Sequence, residues 1–476
     1  MVLGILFLIL GLVYSLVIIS TVLMVLLDNR QPVKTIAWVL VLVLLPFIGL
    51  VFFYFFGQNI RKERLISKKS VNLLMQKAMS EYFTQPLYHV PDDYVRLIKY
   101  FERQNLALPF GSNRLKMYNR GDSFLLSLMH EISQAKHHIH LETYIFEDDP
   151  VGRMIRDLLV DKVKEGVEVR LIYDDVGCWS VPQQFFDGMA RQGVFVEGFM
   201  PVRFPRFTHK VNYRNHRKIC VIDGKVGFIG GMNIAFRYIK GLDSGIWHDM
   251  HIKITGGAVY GLQKTFLTDW FFVTRVMITD PCYYPSLAPD LSGRETIIQI
   301  VTSDPVSKWP DIMFGFTWAI QNARKYLYIQ SPYFMPTEPI LTALQIAAMS
   351  GVDVRLMVPL KPDGYWLKWA NESYFTEVLR AGVKIYRYKP GFLHAKYLVM
   401  DDSLCSIGST NMDFRSFENN FEANAFIYER ETALMVKKSF LEDQNECIEL
   451  TASIWRKRSY WRRLRESFMR LFSPLL

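Results

Sequence analysis

Two short segments carry the residue types that can do chemistry together. His216-Arg217-Lys218 is followed by Asp223, and His394-Ala395-Lys396 is followed by Asp401 at the same spacing. In an extended strand residues i and i+2 share a face, so each segment sets an imidazole beside an ammonium. An imidazole can attack phosphorus or protonate a leaving oxygen near neutral pH, and an ammonium offsets charge that builds on phosphoryl oxygens. The pair therefore suits a phosphodiester. Each segment is trailed by small residues and an asparagine: Gly230, Gly231 and Asn233 after the first, Gly408, Ser409 and Asn411 after the second. Asn233 and Asn411 are candidate amide donors to the phosphoryl group. A nucleophilic histidine also needs its far nitrogen held by an acceptor, and Asp249 and Glu422 lie at comparable distances downstream of the two histidines. One His-x-Lys alone would read as a solvated charged face; duplication reverses that reading. Asp223 and Asp401 are more ambiguous, because an Asp at a hairpin turn is explained by side chain to backbone hydrogen bonding as readily as by chemistry.

The elements that must position these groups repeat as well. Lys218 to Ile222 and Val226 to Ile229 are apolar strands joined by the turn Asp223-Gly224-Lys225. At a spacing of about 180 to 190 residues the chain resembles itself. The strand-like run Lys136 to Phe146 matches Arg324 to Phe334, Gly166 to Leu171 matches Gly351 to Leu356, and Gly193 to Val196 matches Gly382 to Ile385. Helix, glycine stop and strand follow one another in each copy, which is an α/β pattern in two halves of similar topology.

Composition places this unit behind a membrane segment. No charged side chain occurs from Met1 to Leu27, and a second uncharged run extends from after Lys34 to Ile60, bent by Pro46 and Gly49. The spacing predicts a two-helix transmembrane hairpin. Arg61, Lys62, Arg64, Lys68 and Lys69 follow it, against Arg30 and Lys34 in the turn, so the positive-inside rule puts the C-terminal part in the cytoplasm. The five cysteines are scattered, with no zinc-binding spacing, and read as reduced thiols. A net charge of +10 favours anionic partners without choosing among them. The expected division is a transmembrane hairpin (1–60), a connector (61–110), two α/β halves (111–280 and 281–450) and a basic amphipathic segment (451–476).

The two motifs fit the paired HxKxxxxD motifs of the phospholipase D superfamily without a substitution, and the chain resembles that superfamily. The resemblance implies a pseudo-twofold α/β catalytic unit in which both motifs meet at one active site. One histidine forms a covalent phospho-histidine and the other acts as acid and base, with no metal or other cofactor; His216, Lys218, Asp223, His394, Lys396 and Asp401 are the catalytic residues it implies. The N-terminal runs with Trp38, Pro46, Gly49, Tyr54 and Gly57, and the closing Leu471-Phe472-Ser473-Pro474-Leu475-Leu476, are similar to bacterial cardiolipin synthases, over essentially the whole chain. That similarity implies transfer of a phosphatidyl group between two phosphatidylglycerols with release of glycerol, His216 acting as nucleophile and His394 as acid and base. It implies a multi-pass protein of the bacterial cell membrane whose partners are phosphatidylglycerol and other anionic lipids, with no nucleic acid. Homo-oligomerisation is left open.

Flanking features bear on the partner. Arg203, Arg206, His209, Lys210 and Arg214, interleaved with Phe204, Phe207 and Tyr213, suit an anionic headgroup at a membrane surface, or single-stranded nucleic acid. Between Trp455 and Arg470 seven basic residues stand against Glu466, with Trp461, Leu464 and Phe468 at helical spacing. That pattern reads as a basic interfacial helix or as a charged helix packed on the domain. His137, His138 and His140 lack partners at ligand spacing and read as ordinary strand-start histidines. Residue types alone give only phosphodiester chemistry, and the superfamily resemblance leaves a phospholipid hydrolase, a phosphatidylserine-synthase-like enzyme and a nucleic-acid-processing enzyme as alternatives.

Overall fold

The computed structural model describes residues 2–27, 32–45, 47–57, 91–202, 212–242, 245–286 and 296–476. The chain forms two units, an N-terminal one and a large one that holds both motifs. In the N-terminal unit, Val2–Leu27 is one uninterrupted helix. Among the described residues it is the one helix long and apolar enough to cross a membrane. The second apolar run is divided into helix Pro32–Leu44, a short helix Ile48–Phe52 and a π-turn Phe53–Gly57. Phe47 between the pieces takes φ 61°, a left-handed conformation that ends a helix. The amide of Phe47 donates to the Tyr14 hydroxyl at 3.1 Å, and Val25, Leu42 and Phe53 are buried together, so the pieces fold back on the first helix.

Each half of the large unit is built on a mixed sheet. The first contains β1 (Arg114–Tyr118), β2 (His138–Thr143), β3 (Glu168–Asp174), β4 (Phe195–Phe199), β5 (Ile219–Ile222), β6 (Val226–Gly230) and β8 (His251–Thr255), in the order β1-β8-β6-β5-β2-β3-β4. Between β6 and β8 lies the short β7 (Ile246–His248). The second half contains β9 (Ile297–Ser303), β10 (Tyr326–Gln330), β11 (Phe334–Met335), β12 (Asp353–Pro359), β13 (Lys384–Tyr388), β14 (Gly391–Leu393), β15 (Tyr397–Met400), β16 (Leu404–Gly408), β17 (Met412–Asp413), β18 (Glu422–Tyr428) and β19 (Cys447–Leu450). Its main sheet runs β19-β13-β12-β10-β15-β16-β18-β9, which repeats the first half strand for strand and adds β19 at one edge. β2, β3 and β4 are parallel, as are β10, β12 and β13, because helical crossovers connect them; the hairpins β5-β6 and β15-β16 are antiparallel. The predicted repeat is therefore a repeat of topology.

Two elements extend this plan. Helix Val95–Asn105, which falls in the expected connector, buries Leu97, Ile98 and Phe101 in the core of the second half. Its Asn105 is bonded to both the amide and the carbonyl of Thr302. The long helix Ala258–Thr274 is buried along most of its length, including Gln263, Lys264 and Asp269, and contacts strands of both halves.

Asp223 and Asp401, the third members of the two motifs, act at the far end of β5 and β15 from the lysines. Asp223 accepts from the backbone amides of Lys136, His137 and His138 at 2.9, 2.8 and 3.0 Å. Asp401 does the same for Arg324, Lys325 and Tyr326 at 2.7, 2.9 and 2.9 Å. Both sit at positive φ (53° and 49°), which Asp tolerates better than most residues, and both carboxylates clamp the start of the central strand of their half. Asp223→Ala and Asp401→Ala should each lower stability by about 1–3 kcal/mol while leaving the turnover of the folded fraction near wild type. An unchanged melting temperature with lost turnover would move these carboxylates from the scaffold into the chemistry.

Candidate active site

The two halves meet through a pair of backbone exchanges, and these create the site. The amide of His216 donates to the carbonyl of Phe421 at 2.9 Å, and that of Phe421 donates to Arg214 at 2.9 Å. In the equivalent place, β14 pairs parallel with β7, and the amide of His394 donates to the carbonyl of His248 at 2.7 Å. Each histidine is thereby hydrogen-bonded to the residue that precedes a carboxylate of the opposite half. Nδ1 of His216 lies 3.1 and 3.2 Å from the two oxygens of Glu422. Nδ1 of His394 lies 2.7 Å from Asp249 Oδ2. Asp249 and Glu422 thus hold the histidines, as the spacing suggested, but with partners exchanged between halves. For His216, donation from Nδ1–H to Glu422 leaves Nε2 with its lone pair for the substrate.

The rest of the arrangement is nearly twofold. An aromatic ring meets each imidazole edge to face, Tyr144 on His216 at 5.0 Å and Trp247 on His394 at 5.1 Å between ring centres. Lys218 Nζ donates to the carbonyl of His216 at 2.5 Å, and Lys396 Nζ donates to that of His394. Lys396 Nζ also stands 4.0 Å from Asp249. All four side chains are largely buried.

Two of the small residues after the motifs, Ser409 and Gly231, are explained by these carboxylates. Ser409 Oγ donates to Glu422, whereas a Cβ at Gly231 would run into the carboxylate of Asp249. Asn233 is engaged in the fold: Oδ1 accepts from the amide of Ile145 at 3.1 Å and Nδ2 donates to Tyr238 at 2.7 Å. Asn411 Oδ1 is buried with no hydrogen-bond partner among the described residues. The two asparagines expected to act alike are thus committed to different degrees.

Sequence reasoning missed the clamp formed by Arg217, the middle residue of the first motif. Its guanidinium bonds Asp269 and donates to the carbonyls of Glu422 and Ser303 at 3.1 and 3.3 Å, bridging the halves. The second motif has fully buried Ala395 there, so no symmetry argument exposes it. Asp174 was missed too; it accepts from the amide of Asn215 at 2.8 Å and fixes the approach to His216. Arg214, expected on a headgroup-docking loop, is 2% exposed and faces Asp174 at 3.4 Å, so burial with a carboxylate replaces surface docking. The remainder of that loop, 203–211, lies outside the described residues.

Residues 128–270 and 317–444, each containing one motif, match the family described as cardiolipin synthase, PLD-like domain. Residues 13–58 match the phospholipase D-nuclease N-terminal family. The chain is 40% identical over 462 residues to cardiolipin synthase 2 of Bacillus cereus, covering 94% of this chain and 88% of that one. It is 38% identical over 477 residues to a cardiolipin synthase of Alkalihalophilus pseudofirmus, covering 98% and 94%. The chain belongs to the cardiolipin synthase family of PLD-like proteins. The family's fold is seen in the structure of a phosphatidylserine synthase from Haemophilus influenzae, which matches 80% of this chain and all of that one with a TM-score of 0.60 at 14% identity.

In this member of the cardiolipin synthase family, burial is the largest influence on every group at the site. It pushes His216 down to about 4, against the pull of Glu422, and His394 down to about 3, helped by the Lys396 charge. It brings Lys218 down to about 7 and Lys396 to about 8. Burial pushes Glu422 and Asp249 upward, but the facing imidazoles and ammoniums outweigh it and hold both below the usual carboxylate range. His216 also feels Lys396, and His394 feels His216, so the motifs share one electrostatic field. Because the folded values of both histidines lie below the unfolded value of 6.5, each contributes stability that is full above 6.5 and is lost as pH falls through the folded value.

A phosphodiester monoanion placed between the two His/Lys pairs favours their protonated forms and raises all four values. Binding of an unreactive phosphonate analogue should therefore take up protons near pH 7, in the range of about one per site. Calorimetry in buffers of different ionisation enthalpy measures this directly. Release of protons, or none exchanged, would contradict this electrostatic account.

Proposed function

We propose that this chain is a cardiolipin synthase that transfers a phosphatidyl group from one phosphatidylglycerol to another, giving cardiolipin and glycerol through a phosphatidyl-histidine. The observation that carries the reading is the composite site: two imidazoles, one from each half, each oriented at Nδ1 by a carboxylate of the other half. Membership of the cardiolipin synthase family supports the choice of substrate.

In the first step Nε2 of His216 attacks phosphorus and the bond to glycerol oxygen breaks, while His394, an imidazolium once the bound phosphodiester has drawn a proton onto it, donates its Nε2 proton to that oxygen. Glu422 offsets the positive charge that develops on His216. In the second step neutral His394 removes the proton from the hydroxyl of an incoming phosphatidylglycerol, whose oxygen attacks phosphorus and displaces His216. Lys218 and Lys396 offset phosphoryl charge in both steps, with Nδ2 of Asn411 as the amide donor beside them. Asp223 and Asp401 serve as strand clamps. Two in-line displacements retain configuration at phosphorus.

The membrane part of the reading is an N-terminal hairpin, residues 1–60, with the halves 111–280 and 281–450 and the basic segment 451–476 on the cytoplasmic side. The basic run that sets this orientation, Arg61 to Lys69, lies outside the described residues. An Asn29→Cys protein should react with an impermeant thiol reagent added outside intact cells; labelling only after lysis contradicts the orientation.

The division of labour between the histidines is tested with a phosphatidyl ester of a good leaving group. His394→Ala should still capture the phosphatidyl group on His216 but release no glycerol from phosphatidylglycerol, and His216→Ala should form no adduct. Label trapped on His394 in the His216→Ala protein would reverse the roles, and inverted configuration at phosphorus would exclude the double displacement.

A further inference from the structure

The helix Tyr460–Arg470 near the C-terminus is amphipathic in the reverse of the usual sense. Ser459 caps it, and with 3.6 residues per turn its side chains fall on two faces. The face turned to the protein carries charged residues around buried Met469. Glu466 is 3% exposed and bonds Arg462 at 3.0 Å, Arg462 bonds Glu372 at 2.8 Å, and Arg470 bonds Glu377. Glu372 and Glu377 belong to helix Tyr365–Ala381, against which this helix packs. The face turned outward is apolar: Trp461, Leu464, Phe468 and Leu471 are 70, 47, 56 and 74% exposed. Their spacing of three, four and three residues puts them in one stripe. Trp366, at the start of helix Tyr365–Ala381, is 61% exposed and extends the same surface, since it contacts Trp369 at 5.7 Å and Trp369 carries Arg465 at 5.3 Å.

A water-facing helix would place its arginines outward and bury the tryptophan and phenylalanine. Here the ion pairs of Arg462 with Glu372 and of Arg470 with Glu377 fix the rotation, so the stripe cannot turn inward without taking both arginines away from their partners on helix Tyr365–Ala381. Contiguous exposed apolar surface of this kind marks an interaction site. Exposed Arg463 and Arg465 flank the stripe on its two sides, and the chain carries a net charge of +10. Two copies meeting stripe to stripe would bring these arginines together. An anionic lipid surface accepts both the apolar stripe and its basic borders.

We propose that this helix lies in the plane of an anionic bilayer, with Trp461, Leu464, Phe468 and Leu471 seated at the boundary of headgroups and acyl chains. The anchor is separate from the N-terminal apolar helix and is fixed to the catalytic unit through helix Tyr365–Ala381. It holds that unit in a defined orientation on the surface where lipid substrates reside.

The test uses the full chain in vesicles of phosphatidylglycerol and phosphatidylcholine, with exposed Cys282 replaced by serine. A nitroxide is placed by Phe468→Cys in one protein and by Leu464→Cys in another, and depth is read from collisions with oxygen and with a water-soluble nickel complex. The proposal expects both labels to be more accessible to oxygen than to nickel, a difference that disappears in vesicles of phosphatidylcholine alone at high salt. Nickel access equal to that of a label at Arg463→Cys would overturn it. Dipolar broadening between labels of two copies would also overturn it, assigning the stripe to a second chain. Depth is read without turnover, so failure here leaves the proposed reaction untouched, and failure of that reaction leaves the docking result intact.

Discussion

The site depends on a backbone exchange across the pseudo-twofold axis. Asn215 runs beside Phe421, and Leu393 runs beside His248. Because the next residues along the paired strands are His216 with Glu422 and His394 with Asp249, the hydrogen bonds that join the halves also deliver a carboxylate to each imidazole. Neither half contains a complete His–carboxylate pair by itself. Docking of the halves and assembly of the catalytic geometry are therefore one event, and a shift of one residue in either pairing would remove the acceptor from Nδ1. Arg217, buried between Asp269 and the carbonyls of Glu422 and Ser303, fixes the first of these pairings from behind.

The halves share a topology and differ where chemistry asks for a difference. The first has Arg217 and Gly231 where the second has Ala395 and Ser409. Burial and the nearby Asp269 charge push its Glu142, which accepts from Asn215, well above the usual carboxylate range, and Gln330 occupies the equivalent strand position in the second half. The histidines consequently sit in unlike fields, which favours different roles for groups with the same sequence motif.

Much of this was legible in the sequence. The duplicated His-x-Lys pairs, the repeat and the candidate carboxylates came from residue type and spacing, because strand periodicity is local and a duplication preserves it. The exchange of Asp249 and Glu422 was not legible, since distance along a chain says nothing about which of two symmetric partners is met across an interface. The clamp role of Asp223 and Asp401 was open in the sequence and is visible only when the amides of Lys136 to His138 and Arg324 to Tyr326 arrive from remote strands. Helix Val95–Asn105 carried an apolar face without saying whose core it completes. The hydrophobic run after Lys34 had the length of a span, yet its first helix ends at Leu44 and the next starts at Ile48, a division that hydropathy alone does not register.

The central claim is that each histidine works through the carboxylate of the opposite half. Single-turnover capture of a phosphatidyl group from an ester with a good leaving group isolates the His216 step, because such a leaving group needs no acid. Glu422→Gln should slow this capture by roughly 10²–10⁴-fold, while Asp249→Asn should leave it close to wild type and slow turnover of phosphatidylglycerol instead. Slow capture with Asp249→Asn and normal capture with Glu422→Gln would contradict the exchanged pairing.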